Sequence, residues 1–209
     1  ELYGSVDNGT TWIDITNKVS GTDITWDGAT LSGSSNITFK VGDLAGNTET
    51  SNTGTTAYVL DTGSPSVTVG SIDISADTGS SATDFNTKTA SQTITATLST
   101  GLVDGEEELY GSVDNGTTWI DITNKVSGTD ITWNGATLSG SSTILLEVRD
   151  LAGNAGSRES QSYVLDTTGP SFTVGSVDIS ADTGSFATDF NTKTASQTIT
   201  ATLNGNLGA

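Results

Sequence analysis

Along this chain apolar residues alternate with polar ones, and almost nowhere do they recur at helical spacing. In Ser91–Ser99 (SQTITATLS), Ile94, Ala96 and Leu98 fall on one face and Thr93, Thr95 and Thr97 on the other. That period of two is the mark of a half-buried strand. Leu109 to Val113 and Thr117 to Ile122 flank Asp114-Asn115-Gly116. Asn-Gly suits the positive φ angles of a tight primed turn, so a hairpin is predicted there, with a twin around Asn8-Gly9. Ile131 to Trp133, Thr143 to Val148 and Ser162 to Leu165 predict further strands, and no segment predicts an amphipathic helix.

The pattern occurs twice. Glu1 to Trp26 returns letter for letter as Glu108 to Trp133, and a two-residue deletion later in the repeat brings Asp61 into line with Asp166. So long a period, filled with short strands, indicates a tandem array of whole domains and exceeds the units of about 20–50 residues that build solenoids. The strand Ile37-Thr38-Phe39-Lys40-Val41-Gly42 becomes Ile144-Leu145-Leu146-Glu147-Val148-Arg149. Alternate positions stay apolar while Lys40 turns into Glu147, which predicts one core face and one solvent face.

Tyr58-Val59-Leu60-Asp61-Thr62-Gly63-Ser64-Pro65 and Tyr163-Val164-Leu165-Asp166-Thr167-Thr168-Gly169-Pro170 read as boundaries. Proline there lacks an N–H and holds its predecessor extended, which ends a strand ladder. About seven short strands per repeat, with turn chemistry every 8–12 residues, predict an all-β fold of immunoglobulin-like β-sandwich repeats in tandem. On these boundaries residues 61–165 form a complete repeat. Residues 1–60 are the C-terminal half of one repeat, and residues 166–209 are the N-terminal half of the next. A half sandwich exposes its core, so each half is expected to need completion by a neighbour, covalently linked or on another chain. Units beginning at residues 1 and 108 are the alternative phase. The first residue is Glu1, not Met, and the chain reads as a piece of something longer.

Composition narrows the function. Only 33% of the residues are hydrophobic, yet they alternate with Thr and Ser in the way of thin strands and not of disordered chain. Lys and Arg number 7 against 25 Asp and Glu, a net charge of −18. Such a surface repels phosphate backbones and anionic lipid, so nucleic-acid binding is not expected, and with no apolar run of about 18 residues no membrane insertion is expected either. With no Cys and no His, disulfides, thiolate sites, imidazole zinc sites and Ser-His-Asp catalysis are all ruled out. The surplus of carboxylates suits a hard cation such as calcium, and the composition fits an extracellular bacterial surface.

Two loops are candidates for calcium. In the first, Asp73, Asp77 and Asp84 bracket Gly79 and recur as Asp178, Asp182 and Asp189. Three carboxylates with nearby carbonyls can supply much of a 6–8-oxygen shell, although the spacing is not that of an EF-hand, and turn capping by the same side chains is the plainer alternative. In the second, Asp43-Leu-Ala-Gly46-Asn47 recurs as Asp150-Leu-Ala-Gly153-Asn154 between the last two strands, near the linkers that carry Asp61 and Asp166. Its alternative is an Asx turn with Asn47 left-handed. Trp12, Trp26, Trp119 and Trp133 lie beside Ile in strand runs, which favours packing over sugar stacking. Glu106-Glu107-Glu108 reads as a solvated acidic turn.

The stretches DISADTGSSATDFNTKTASQTITATL, ELYGSVDNGTTWIDIT, VRDLAGN and YVLDTTGP resemble the bacterial immunoglobulin-like tandem repeats of giant secreted adhesins of the RTX and biofilm type. The resemblance spans essentially the whole chain. It implies a rod, stiffened by calcium, that carries a distal ligand-binding domain away from the cell and performs no catalysis. It also implies junction ligands among Asp61, Asp166, Asp43, Asn47, Asp150 and Asn154, with an intradomain site at Asp73, Asp77 and Asp84 and their twins. Ser64 stands where a Gly is expected before Pro65. Partners would then be neighbouring identical repeats, in the same chain or in a filament. A self-assembling extracellular filament or sheath, completed by strand complementation, is the competing reading, and a glycan-binding module comes after it.

Overall fold

A computed structural model describes residues 1–48 and 54–207, which divide into two compact units, Glu1–Asp166 and Thr167–Ala209. In the first unit the strands are β1 Leu2–Ser5, β2 Ile13–Asp14, β3 Val19–Ser20, β4 Asp23–Ile24, β5 Ser35–Val41 and β6 Thr55–Tyr58. They are followed by β7 Val69–Ile74, β8 Asn86–Thr87, β9 Ser91–Leu98, β10 Glu107–Ser112 and β11 Ile120–Asp121. The unit ends with β12 Val126–Ser127, β13 Asp130–Thr137, β14 Ser142–Asp150 and β15 Ala155–Leu165. The second unit holds β16 Val174–Ile179 and β17 Ile199–Leu203. The described residues contain two 3-10 turns, Thr16–Lys18 and Thr123–Lys125, and no helix long and apolar enough to cross a membrane.

The protein is all-β, with several antiparallel sheets. Residues 1–48 and 54–58 form the sheet β2-β1-β5-β6 and the small pair β3-β4. Residues 69–165 form two sheets, β11-β10-β14-β15-β8 and β12-β13-β9-β7, with β15 and β8 parallel and every other pair antiparallel. The two sheets close over one core in the manner of a β-sandwich: Ile94, Ala96, Ile131 and Trp133 from one meet Leu109, Ile144, Leu146 and Val148 from the other. The alternation read in Ser91–Leu98 is the observed one, with Gln92, Ile94, Ala96 and Leu98 buried and the threonines between them turned outward.

The hairpin at Asn115-Gly116 forms with a longer loop than predicted. Both residues have positive φ, 58° and 83°, as the turn chemistry requires. Strand pairing begins only at Gly111↔Ile120, however, and no two-residue primed turn closes it. Side chains hold the longer loop instead. Ser112 Oγ accepts from the Gly116 N–H at 2.9 Å, and Asp114 Oδ1 accepts from the Thr118 N–H at 2.8 Å.

The predicted solvent face of β14 is also covered. Glu147 is 2% exposed, and its carboxylate is gripped by Arg149 from its own strand and by Arg158 from β15, at 2.8 Å through Nε of Arg158. Trp119 lies over both guanidinium groups, at 4.9 Å and 5.0 Å from its ring centre. In the first copy Lys40 itself stacks on Trp12 at 4.1 Å and on Tyr3 at 5.5 Å. The charge reversal between the copies is therefore an exchange of packed arrangements under a tryptophan, one cationic and one ion-paired.

The described residues of 1–58 form a sheet with a small buried cluster of its own. Trp26 folds over Gly4, where Ile15 also packs, and meets Phe39 edge-on at 6.2 Å; Leu2 and Ile15 are buried.

Candidate metal loops

At the end of β7 and in the loop that follows, each carboxylate is engaged locally. Asp73 Oδ1 accepts from the Ile74 N–H at 2.8 Å, and Asp84 Oδ1 accepts from the Asn86 N–H at 3.0 Å. Asp77 Oδ2 reaches across the loop to the Phe85 N–H at 2.9 Å. Phe85 is left-handed with φ of 57°, a conformation that costs a bulky residue energy and needs such a clamp. Gly79 belongs to the same construction, since a methyl group there would lie 2.7 Å from the Asn86 carbonyl oxygen. Gln92 organises the loop base from inside the core. Its Oε1 accepts from the Ala76 N–H at 2.9 Å and its Nε2 donates to the Thr89 carbonyl at 2.7 Å. Sequence reasoning did not select Gln92, and its only local sign is a polar residue on the apolar face of Ser91–Leu98.

The second unit repeats this arrangement bond for bond. Asp178 accepts from Ile179, Asp182 from Phe190 at 3.1 Å and Asp189 from Asn191 at 3.0 Å, with Gln197 in the role of Gln92. The remaining carboxylate oxygen of the central aspartate, Oδ1 of Asp77 and of Asp182, is buried without a hydrogen-bond partner. That orphan oxygen fits a cation, because a buried bare carboxylate oxygen is costly. Among the described residues, though, no three acidic side chains come together to hold a metal ion, so the three-carboxylate shell is not assembled. What each loop offers is one buried carboxylate oxygen without a hydrogen-bond partner, while the other two aspartates each spend one oxygen on a nearby backbone N–H.

The second loop is built around Asn154. Its Nδ2 donates to Asp150 Oδ2 at 2.8 Å and to the Asp61 carbonyl at 3.0 Å, so the loop between β14 and β15 is joined to the linker that carries Asp61. An open cleft of about 760 Å³ lies here, with Asp61, Glu106, Glu107 and Asp150 among its lining residues. Glu106 is an exposed turn residue, as read from the sequence, whereas Glu107 opens β10, and both line this cleft. The register Glu107↔Asp150 between β10 and β14 puts them there. The Asn154 side chain holds the Asp150 carboxyl below the ordinary carboxylate range.

Asp43 and Asn47 form the corresponding loop of the first copy and close on themselves. Asp43 accepts from the Asn47 and Ala45 N–H groups at 2.8 Å and 2.9 Å and from Asn47 Nδ2 at 2.8 Å. The Asn47 side-chain bond leads in lowering the Asp43 pKa. The left-handed residue is Gly46, at φ 86°, and not Asn47 as the sequence suggested, because glycine takes that conformation without a steric penalty. The Asp61 backbone carbonyl is held by Asn154, while its carboxylate accepts from the Gly63 N–H at 2.9 Å within the linker; Asp166 is placed by its N–H donating to the Thr87 carbonyl at 2.9 Å. Trp133 is buried, and Trp12, Trp26 and Trp119 are half-buried under Lys40, against Gly4 and under Arg149 and Arg158, so packing claims all four indoles. Comparison with known proteins finds no matching protein family and no significantly similar curated protein.

Proposed function

We propose that this chain is a non-catalytic spacer segment of a repetitive bacterial cell-surface adhesin or fibre, built of immunoglobulin-like repeats in tandem and stiffened by calcium. The observation that carries the reading is the recurrence of whole contact sets at equivalent positions. Tyr58 donates to the Val6 carbonyl at 2.8 Å and Tyr163 to the Val113 carbonyl at the same distance. Gly4 lies under Trp26 as Gly111 lies under Trp133, and Gln92 and Gln197 hold equivalent loops. Near-identical consecutive copies are what selection for length leaves behind, since an enzyme gains little from repeating itself.

Calcium enters through the orphan oxygens of Asp77 and Asp182 and through the acidic cleft at Asp61 and Asp150. A stiff linker there would set the angle between successive repeats. Extracellular calcium modules bind at ~10⁻⁴–10⁻³ M, and at ten times that constant one site adds only about 1.4 kcal/mol. Calcium would then tune rigidity and not switch folding on. In the test, thermal melts and small-angle scattering are recorded in EDTA and in millimolar calcium. The expected result is a melting temperature several degrees higher and a narrower spread of dimensions with calcium. Identical melts and scattering curves would overturn the calcium role.

A further inference from the structure

Two sets of apolar residues lie open in this chain although their counterparts in residues 61–165 are closed. Val177 and Ile199 are 55% and 70% exposed, whereas Ile72 and Ile94, at the same places in the repeat, are 7% and 0%. In residues 1–60, Ile24 is 44% exposed and its counterpart Ile131 is 1%.

The complete repeat shows what closes them, because each set covers the other. There β9 pairs with β13, with Ile131 opposite Ala96 and Trp133 opposite Ile94, and β7 pairs along the far edge of β9. Residues 196–203 carry the sequence of β9 unchanged, yet among the described residues β17 pairs only with β16. The edge that β9 gives to β13 is unused in β17. Residues 23–30 carry the sequence of β13 with the single change of Asn134 to Asp27. Of these residues only Asp23–Ile24 is strand, and it pairs with β3 alone. Each half lacks the strand that the other supplies.

We propose that residues 167–207 of one molecule dock on residues 1–60 of a second copy of this chain, adding β17 to the Asp23–Thr30 edge in the register of β9 on β13. Trp26 then lies opposite Ile199, Thr25 opposite Thr200 and Ile24 opposite Ala201. An open strand edge with apolar residues on one face is a template for such addition. The one sequence difference in the paired segments is compatible with it. Thr93 Oγ1 donates to Asn134 Oδ1 at 3.1 Å, and Asp27 offers an equivalent acceptor to Thr198. The two surfaces differ, so the contact is head-to-tail and propagates into an open chain of molecules. This inference rests on the tandem-repeat reading above and names the partner of its two open strand edges.

Sedimentation velocity and light scattering of the whole chain, from low micromolar to submillimolar concentration, test it. The expected result is a mass that rises with concentration beyond the dimer. Ile199→Asp and Ile24→Asp, made in separate chains, each hold the protein monomeric, and an equimolar mixture of the two gives a 1:1 dimer and nothing larger. Val177→Asp should act as Ile199→Asp does, and it guards against local unfolding of one variant. The main thermal transition of all three stays that of the parent, since the altered residues lie outside the 67–165 core. In a chain without cysteine, Thr25→Cys combined with Thr200→Cys should give an oxidised ladder, while Thr25→Cys with Thr198→Cys should not. A parent that stays monomeric throughout, an Ile199→Asp variant that associates like the parent, or variants that fail to pair on mixing would each overturn the proposal. Calcium effects on the monomeric variants are read separately, so failure here leaves the spacer reading standing.

Discussion

Gly111 lies directly beneath the six-membered ring of Trp133: a methyl group added at Gly111 would sit 2.6 Å from Cζ3 of the indole and 3.0 Å from Cδ1 of Ile122. Trp133 is one of the largest side chains in the sandwich core and is 5% exposed. Gly111→Ala therefore forces the ring or the β10 backbone to move, and overpacking of this kind costs about 1–3 kcal/mol. Urea unfolding should show a lower midpoint with an unchanged slope. Gly4→Ala, against the half-buried Trp26, should perturb the β2-β1-β5-β6 sheet and leave the main transition in place. Equal effects of the two substitutions on the main transition would contradict the assignment of the core.

The ion-paired cluster under Trp119 makes a copy-exchange prediction. Lys40 and Glu147 occupy the same place in the repeat, but Glu147 is buried between Arg149 and Arg158. Glu147→Lys would set an ammonium group beside two guanidinium groups, with no carboxylate to offset them. Losing one partner of a buried pair costs about 3–5 kcal/mol, and Arg158 is 50% solvent-exposed, which places the expected loss toward the low end of that range. Glu147→Gln should cost less, since the amide keeps an acceptor. A Glu147→Lys melt equal to that of the parent would show that the carboxylate is dispensable.

Acid sensitivity is expected at the Asn-Gly loops. The Asp7 carboxyl is lowered from an ordinary value of 3.8 to about 2, first by the Thr11 backbone N–H and then by the Ser5 hydroxyl. A carboxyl depressed on folding adds stability that is present above its unfolded pKa and lost as pH falls through the folded one. The contribution of Asp7 is therefore intact above about pH 4 and disappears toward pH 2. Asp114 is lowered for the same reasons in the second copy, led by the Thr118 backbone N–H. Carboxyl chemical shifts followed by NMR should titrate near 2 for Asp7. In Asp7→Asn the loop amides should lose their pH dependence across that window, and an Asp7 midpoint near 3.8 would contradict the loop geometry.

Much of the fold was legible because the forces that set it act over a few residues. Strand alternation in Ser91–Leu98, left-handed φ at Asn115-Gly116 and carboxylate caps at Asp73, Asp84 and Asp43 all depend on neighbours within one loop or one strand. The duplication was legible as letters. The candidate metal site was legible only as a list of oxygens: Asp77 holds the Phe85 amide across eight positions, and the orphan oxygen that results belongs to the closed loop. Glu106 and Glu107 joined the Asp61 cleft through the pairing of β10 with β14, which no local pattern announces.

The identical letters Asp23–Trp26 and Asp130–Trp133 mark where local reading ends. The first gives a two-residue strand with Ile24 exposed, and the second opens an eight-residue strand with Ile131 and Trp133 in the core. Local chemistry set the tendency to extend, the inward-facing residues and the turns. Whether that tendency became a long strand was decided in three dimensions by β9, whose N–H and C=O groups and apolar face are present beside one copy and missing beside the other. The burial of Glu147 follows the same logic, since an arginine eleven positions away on the next strand closes over it. Hydrogen bonds between strands and a shared core need partners far apart in the chain, so the alternation of residues can specify a face but cannot supply what covers it.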